Sequence, residues 1–535
     1  MGGSSSDHVA REFCPAQGAG MKVARNSSTN GATRKAVRSI AGSPHALCVR
    51  ELGAVGDGQL DCTAAFQRAI DICSAAGGGT VIIPPGRYVT GTLWLASHVT
   101  IHLEAGAILL GSLEQTDYPL WISKWEGDAV KPAHAPLIAG EGLTNIALTG
   151  RGTIDGRGQM WWDLFGQGEL EHTRPSLVHV VDCRDVLIDG LTFINSPRWT
   201  LVPTACDNVT ITRVTVRNPP DSPNTDGINP DSCSNVHISD CHIDVGDDCI
   251  SIKSGSEEDG RARLRPCQNV TINNCTMLHG HGGVVIGSEV SGGVRNVAIS
   301  NCVFCGTDRG IRLKSRRGRG NAVEDLRVDN IVMDQVLCPI VLNLFYGCGA
   351  WEDSKVTDQS PRPVDAGTPQ FRRMRFSNIS ARGAKYAAAF VLGLPEMFVD
   401  DVVFDGVSIY LDAQNTRGGS PAMAPGLPDM CRAGFVIRNA RNLRLRHVDI
   451  HDQLGPAVVI HNSLDVVVDD LQAQRDGEAA LITLDNQELI DGIGMDGMGG
   501  RGISFSTVDR PLGRRHGRLP VEVSATRRRG ERAVL

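Results

Sequence analysis

The sequence predicts an all-β solenoid, a right-handed parallel β-helix with one short helix capping its N-terminal end. Three observations carry that expectation. Phrases built alike recur along the chain: NIALTGRGTIDG from Asn145, DVLIDGLTFINSP from Asp185, NVTITRVTVRNP from Asn208, NVHISDCHID from Asn235, NVTINNCTML from Asn269, NVAISNCVF from Asn296 and DLRVDNIVM from Asp325. Through the middle of the chain their spacing is roughly 23 to 34 residues, a period typical of stacked repeats. Each phrase sets a polar opener, two mostly β-branched residues two apart, and a turn, so that the apolar pair points into one interior. A helical repeat would need about ten or more residues of 3.6 period per unit. A leucine-rich repeat would fix its leucines, whereas these positions vary among Val, Ile and Leu.

Residues 1–46 are rich in Gly, Ser, Ala and Arg without hydrophobic period, and are expected as a disordered leader. The β-helix is expected over 47–505. Near its start, Asp61 or Thr63 can cap a helix whose apolar residues Phe66, Ile70 and Ile72 are spaced roughly as one face requires. That helix would cover the open apolar edge of the first coil. AAGGGTVIIPPGRYVTG then reads as a Gly-rich turn, a buried strand and a Pro-Pro-Gly turn. An early copy of the repeat, HVTIHLEAGAILLGS, begins at His98, and weaker copies begin at Asp401, Asn442 and Asp465. Three segments interrupt the series, at 113–140, 160–176 and 346–372. Insertions in a solenoid map to loops, often on the binding face. Within the second, Trp161 and Trp162 read as buried packing rather than a surface for stacking on a sugar. The last stretch, 506–535, holds eight arginines and no apolar period, and is expected as a basic disordered tail without assigned function.

The net charge of −7 over 535 residues makes neither nucleic acid nor an anionic membrane an expected partner. No apolar run is long enough to span a bilayer. The first twenty residues lack the apolar core of a secretory signal, so the chain as written reads as cytoplasmic; a secreted protein is the alternative if its start lies elsewhere. Of 16 cysteines, Cys241, Cys275 and Cys302 occupy the same place in the phrases SDC, NNC and SNC. That position predicts a column of small buried side chains rather than disulfides. Cys302 and Cys305 form a lone CxxC with no second pair, too little for zinc.

Chemistry concentrates between Asn224 and Lys314. Three strands end alike: DCISIKS from Asp248, GGVVIGS from Gly282 and RGIRLKS from Arg309. Aligning Ser254, Ser288 and Ser315 sets Asp247 over His281 and Lys253 in the column of Lys314. Extending the register back to DGINPDS puts Asp226 in the column of Asp248. With coils about 4.8 Å apart, Asp226, Asp247, Asp248, His281, Arg312 and Lys314 would share one patch. Asp at a single β-helix turn is ordinary backbone capping. Six matched residues on consecutive coils are more than capping needs, and crowded carboxylates raise one another's pKa. One obstacle stands in the way: Asp247 and Asp248 are adjacent and would point apart on a regular strand, so Gly246 must open a turn or bulge.

Such a patch suits glycoside hydrolysis, with one carboxylic acid protonating the leaving oxygen and a carboxylate activating water. Arg312 and Lys314 suggest a sugar that itself carries a carboxylate. The run Arg316, Arg317 and Arg319 would either widen that preference or form a solvated loop.

At these residues the chain resembles glycoside hydrolase family 28, the polygalacturonases. The family's four signatures stand as Asn224-Thr225-Asp226, Gly246-Asp247-Asp248, Gly280-His281-Gly282 and Arg312-Leu313-Lys314, with Leu313 in place of isoleucine. LGAVGDG near Leu52, GGGTVIIPPGRY near Gly77, HLEAGAILLGS near His102, GTIDGRGQMWW near Gly152 and HGGVVIGSEVSGGVRNV after His281 extend the likeness over about 49–480. The resemblance implies a pectin-lyase-like β-helix and an inverting hydrolase of α-1,4-linked galacturonan that uses no metal or other cofactor. It implies Asp247 as general acid, Asp226 and Asp248 as holders of the attacking water, and His281 as the residue that tunes them. Asn224, Arg312, Lys314 and, one coil further on, Tyr346 are the expected substrate-binding residues. The expected partner is a pectic polysaccharide or oligogalacturonide, met by a monomer. Rhamnogalacturonan hydrolysis is the alternative. A pectate-lyase-type β-helix ranks lower, because it would need an acidic calcium site and an Arg or Lys base.

Overall fold

The computed structural model describes residues 46–122, 132–474 and 481–485, and the backbone of 502–504 and 521–523. It is a parallel β-helix. Among the described residues the strands gather into sheets of twenty-three, nine and four strands, plus a two-stranded hairpin, and every coil-to-coil pairing through residue 485 is parallel. The nine-strand sheet begins with Asp248–Ile252, Gly282–Ile286, Arg309–Lys314 and Cys338–Asn343. Single bridges through Ile228 join it to the four-strand sheet that ends in Leu201–Thr204. These two sheets form one continuous face.

The repeat phrases explain the coil locally. Their polar openers, Asn145, Asp185, Asn208, Asn235, Asn269, Asn296 and Asp325, all lie in the left-handed region, with φ of 55–58°. Asn and Asp tolerate that conformation better than other residues with a side chain. Their amides also bond from coil to coil: Asn208 donates to Asp185 at 2.6 Å, Asn235 to Asp207 at 2.8 Å, Asn269 to Asn235 at 3.0 Å and Asn296 to Asn269 at 3.1 Å. The apolar pair of each phrase is buried, as at Val209 and Ile211 or Val270 and Ile272. Cys241, Cys275 and Cys302 stack in one buried column, each thiol donating to the carbonyl two residues before it. A second column of Cys183, Cys206, Cys233 and Cys267 was not anticipated; its members precede residues in direct register.

Helix α1, Thr63–Ala75, buries Phe66, Ala69, Ile70 and Cys73 against the first coils. The cap position falls to Cys62, which makes no side-chain capping bond, rather than to Asp61 or Thr63; Asp61, one residue earlier, accepts from the Thr63 amide at 3.1 Å. Gln67 covers the sheet edge: its side chain donates to the Trp94 carbonyl and accepts from the Trp94 amide, at 3.1 and 2.9 Å. Satisfying an exposed edge in this way removes a template for pairing with another chain.

Trp161 and Trp162 lie in the helix Gln159–Gln167 and are buried, as expected; Trp161 packs edge-on to Tyr118 at 5.4 Å. A further interruption, residues 412–432, escaped the sequence reading. It lies across the face just past Arg309–Lys314: the Arg309 guanidinium donates to the carbonyls of Ser420 and Pro421, both at 2.6 Å, and the Asn343 amide donates to the Met423 carbonyl at 3.2 Å. The expected leader, apart from Ala46 in the strand Ala46–Cys48, and most of the expected tail lie outside the described residues. Within the tail, Val521–Val523 is described as a strand, antiparallel to Ile482–Asp485.

Candidate active site

The register is the one the aligned serines imply. Asp248 pairs with Gly282, Val285 with Arg312, and Ile228 with Ile250, so Asp226 stands beside Asp248 and Asp247 beside His281. Asp247 escapes strand alternation because the chain turns a corner there. One strand ends at Val245, Gly246 and Asp247 form a bend, and the next strand begins at Asp248. Only glycine fits the corner: a Cβ on residue 246 would meet the Ser222 carbonyl oxygen at 2.5 Å and that of Pro219 at 2.6 Å. The corner lets carboxylate oxygens of Asp226, Asp247 and Asp248 all lie within 4.8 Å of one another.

Cations surround the three. Lys314 Nζ is 2.6 Å from Asp248 Oδ2, and Arg312 Nη1 is 3.3 Å from Asp248 Oδ1. His281 Nδ1 lies 3.2 Å from Asp247 Oδ1. Lys253 Nζ lies 3.9 Å from Asp226 Oδ2, and the Asn229 amide donates to that oxygen at 3.0 Å. Three carboxylates this close could share a cation; here Lys253, Arg312 and Lys314 supply the positive charge. Asp226, Asp248, Lys253, Arg312 and Lys314 are all buried, whereas His281 is half exposed. Tyr346 closes one side, its ring 5.2 Å from Lys314 Nζ and 5.8 Å from the Arg312 guanidinium. Asn224 is held by Arg174, whose Nη2 donates to its Oδ1 at 2.8 Å. Because that oxygen accepts, the Asn224 NH₂ is the side left for another partner.

The surroundings split the carboxylates. Burial, then the charge of Asp247, pushes Asp226 up to about 7 against the pull of Lys253. Burial would also raise Asp247, but the His281 hydrogen bond and the charges of Lys314, His281 and Lys253 outweigh it and hold Asp247 at about 2. His281 is raised in turn, chiefly by its bond to Asp247. Below about pH 7 the cluster therefore holds a proton, and in the free chain that proton resides on Asp226.

Seven of the eight expected site residues come together; the eighth, Asn224, is tied to Arg174 two residues before Asp226. The three arginines beyond them belong to neither expected class. Arg317 is buried and grips both Glu396 oxygens, at 2.6 and 2.8 Å. Arg319 is buried against Ser256, Glu257 and Glu289, and Arg316 bonds Glu257 and the Cys348 carbonyl. They brace loops and are neither solvated nor free to take substrate. Sequence reasoning gave no place to Glu289, Arg174 or Trp199. Register alone could have found Trp199: the pairing of Leu201 with Ile228 sets it beside Asp226.

The sequence profile of the glycosyl hydrolases family 28 matches residues 73–416. The chain belongs to that family. It is 35% identical over 405 residues to a Vitis vinifera protein named "Probable polygalacturonase", covering 74% of this chain and 80% of the relative. Among solved structures it is similar to a hyperthermoactive exopolygalacturonase from Thermotoga maritima, with a TM-score of 0.62, 26% identity, and coverage of 80% of this chain and 91% of that one. A family 28 exopolygalacturonase from Yersinia enterocolitica shares the fold at a TM-score of 0.65 and 22% identity, over 84% of this chain and 79% of that one. The protein is thus a glycoside hydrolase with the parallel β-helix of its family 28 relatives.

Proposed function

We propose that the chain hydrolyses α-1,4-galacturonosidic bonds of polygalacturonan, with Asp247 as general acid and Asp226 and Asp248 holding the attacking water. The observation that carries this reading is the cluster itself: three carboxylates within 4.8 Å beside buried Arg312 and Lys314. Both cations keep donors beyond those spent on Asp248. Arg has five N–H groups and Lys three, enough to take a substrate carboxylate as well. Asp247 is the most exposed of the three acids and the one that faces His281. To act as acid it must receive the proton that Asp226 holds in the free chain. With carboxylate oxygens within 4.8 Å of one another, the water held by Asp226 and Asp248 can relay it when a glycosidic oxygen arrives beside Asp247. The substrate names of the relatives support galacturonan over the rhamnogalacturonan alternative.

One observation favours a second stereochemical course. Carboxyl groups about 5–5.5 Å apart are the usual spacing for retention, and about 6.5–9.5 Å for inversion. The spacing here falls on the short side, whereas the family resemblance implies inversion. Placing the water on Asp226 and Asp248, rather than between acid and base, reconciles the two. Proton NMR of the first-formed anomer from oligogalacturonate decides between them: β-product means inversion, α-product a covalent intermediate. For the reaction itself, polygalacturonate should yield saturated products, and their release should survive a chelator. Asp247→Asn should lose turnover by several decades while retaining affinity for oligogalacturonate. Near wild-type turnover in that variant would remove Asp247 from the role, and preferential release from rhamnogalacturonan would replace the substrate.

A further inference from the structure

Lys253 falls in the column of Lys314, yet the reaction as described gives it no task. Its ammonium is buried and held on three sides: Glu289 Oε2 at 2.9 Å, Asp226 Oδ2 at 3.9 Å, and the face of Trp199 at 4.9 Å. Glu289 is opposed by Arg319 Nη2 at 3.6 Å, and Arg319 Nε lies 3.1 Å from Glu257. Charges therefore alternate in a row from the cleft to the helix Glu257–Arg263: Asp226, Lys253, Glu289, Arg319, Glu257. With Asp226 ionised, each member inside the row has an opposite charge on either side; with Asp226 protonated, Glu289 still holds the long, flexible Lys253, which would otherwise sample many rotamers.

We propose that Lys253 is a positioning residue that governs the proton on the acid cluster, and that Glu289 and Arg319 set how much of its charge Asp226 feels. The proposal rests on the hydrolytic reading, in which the active form carries one proton. Around Asp226, the groups that face it are Asp247 and Asp248, which favour the protonated form, and Lys253 and Lys314, which favour the ionised one; His281 acts through Asp247. Lys314 is committed to Asp248 at 2.6 Å. Lys253 is thus the cation nearest to Asp226, and its other neighbour, Glu289, drains part of its field.

The signs are opposite for the two partners. Neutralising Lys253 removes support for ionised Asp226, so the cluster keeps its proton to higher pH. Neutralising Glu289 leaves the full Lys253 charge on Asp226, so the proton leaves at lower pH. If Lys253 only held coils together, its loss would lower stability and rate without moving the pH profile.

The test is kcat/KM against pH on polygalacturonate for the wild type, Lys253→Met, Lys253→Arg and Glu289→Gln, with a melting curve for each. The alkaline limb should rise by about one pH unit in Lys253→Met, return towards the wild type in Lys253→Arg, and fall in Glu289→Gln. Limbs that coincide, or that move the same way in Lys253→Met and Glu289→Gln, would overturn the proposal. Should Lys253→Met fail to fold, the direction of the Glu289→Gln limb decides alone: downward supports, unmoved or upward overturns. A wild type without activity on polygalacturonate would instead count against the proposed reaction. The same comparison would then be read from the carboxyl infrared band of Asp226, assigned with Asp226→Asn.

Discussion

Arg312 and Lys314 leave one strand two residues apart, so both side chains emerge on the same face, and both meet Asp248. An ion pair to a desolvated carboxylate costs about 2–5 kcal/mol when one partner is truncated. Lys314→Ala should therefore lower kcat/KM on polygalacturonate by roughly one to four decades, with a smaller loss on methyl-esterified pectin, where the charge is already gone. Equal losses on both substrates would return Lys314 to a role confined to Asp248. The titration of Asp226 gives a second expectation at this scale. Its carboxyl, pushed up to about 7, is protonated below that pH and ionised above it. Activity that needs the cluster's proton should therefore hold below neutrality and fall as pH rises through about 7, which a kcat/KM profile on polygalacturonate measures. Much of this site was legible because register is arithmetic: three serines in equivalent phrases fix which residues stand side by side. What register cannot tell is where a long side chain ends. The sequence places Arg317 and Lys253 near the site with equal force. The structure turns Arg317 away onto Glu396 and points Lys253 inward to Asp226.

Among the elements, the corner at Gly246 does the work that a strand could not. Two adjacent aspartates reach one spot only because the backbone bends between two strands. Gly246→Ala would press a methyl group against two backbone oxygens. Displacing the acid by about 1 Å costs on the order of 10²-fold in rate, so steady-state kinetics should show kcat falling by about that factor while most of the β-helix stays folded by circular dichroism. The need for a bend here follows from strand alternation and was foreseeable. The 412–432 segment was not, because it carries no repeat phrase and its docking partners, Arg309 and Asn343, sit in coils roughly a hundred residues earlier. Arg317 illustrates the same limit. Its pairing with Glu396 joins the coil after Lys314 to a loop 79 residues on. Truncating Arg317 to Met leaves Glu396 buried without its partner, at about 3–5 kcal/mol. A lower denaturant midpoint with KM unchanged is expected, and a raised KM with unchanged midpoint would restore Arg317 to substrate binding.

Across the molecule, each coil pairs with the coil before and the coil after, and stability accrues from these neighbour contacts. The acid cluster draws on this directly: Asp226, Asp247 and Asp248, His281, and Arg312 with Lys314 come from four successive coils. No single coil contains a working site. The repeat that made the fold legible is also what made the site legible, since both follow from one register. Its two cysteine columns have a practical consequence. They run through coils on either side of and within the catalytic region, from Cys183 to Cys302, with every thiol buried, while Cys348 is exposed. The chain thus carries its own clock for opening: an alkylating reagent should modify exposed Cys348 first and reach the columns only as the coils part. Mass spectrometry of labelled peptides would then time the separation of the coils that hold the acids, without any dye or engineered probe. Both columns labelling in one slow phase would mean that the middle coils open as a unit, and a phase for each would mean that they peel apart in turn.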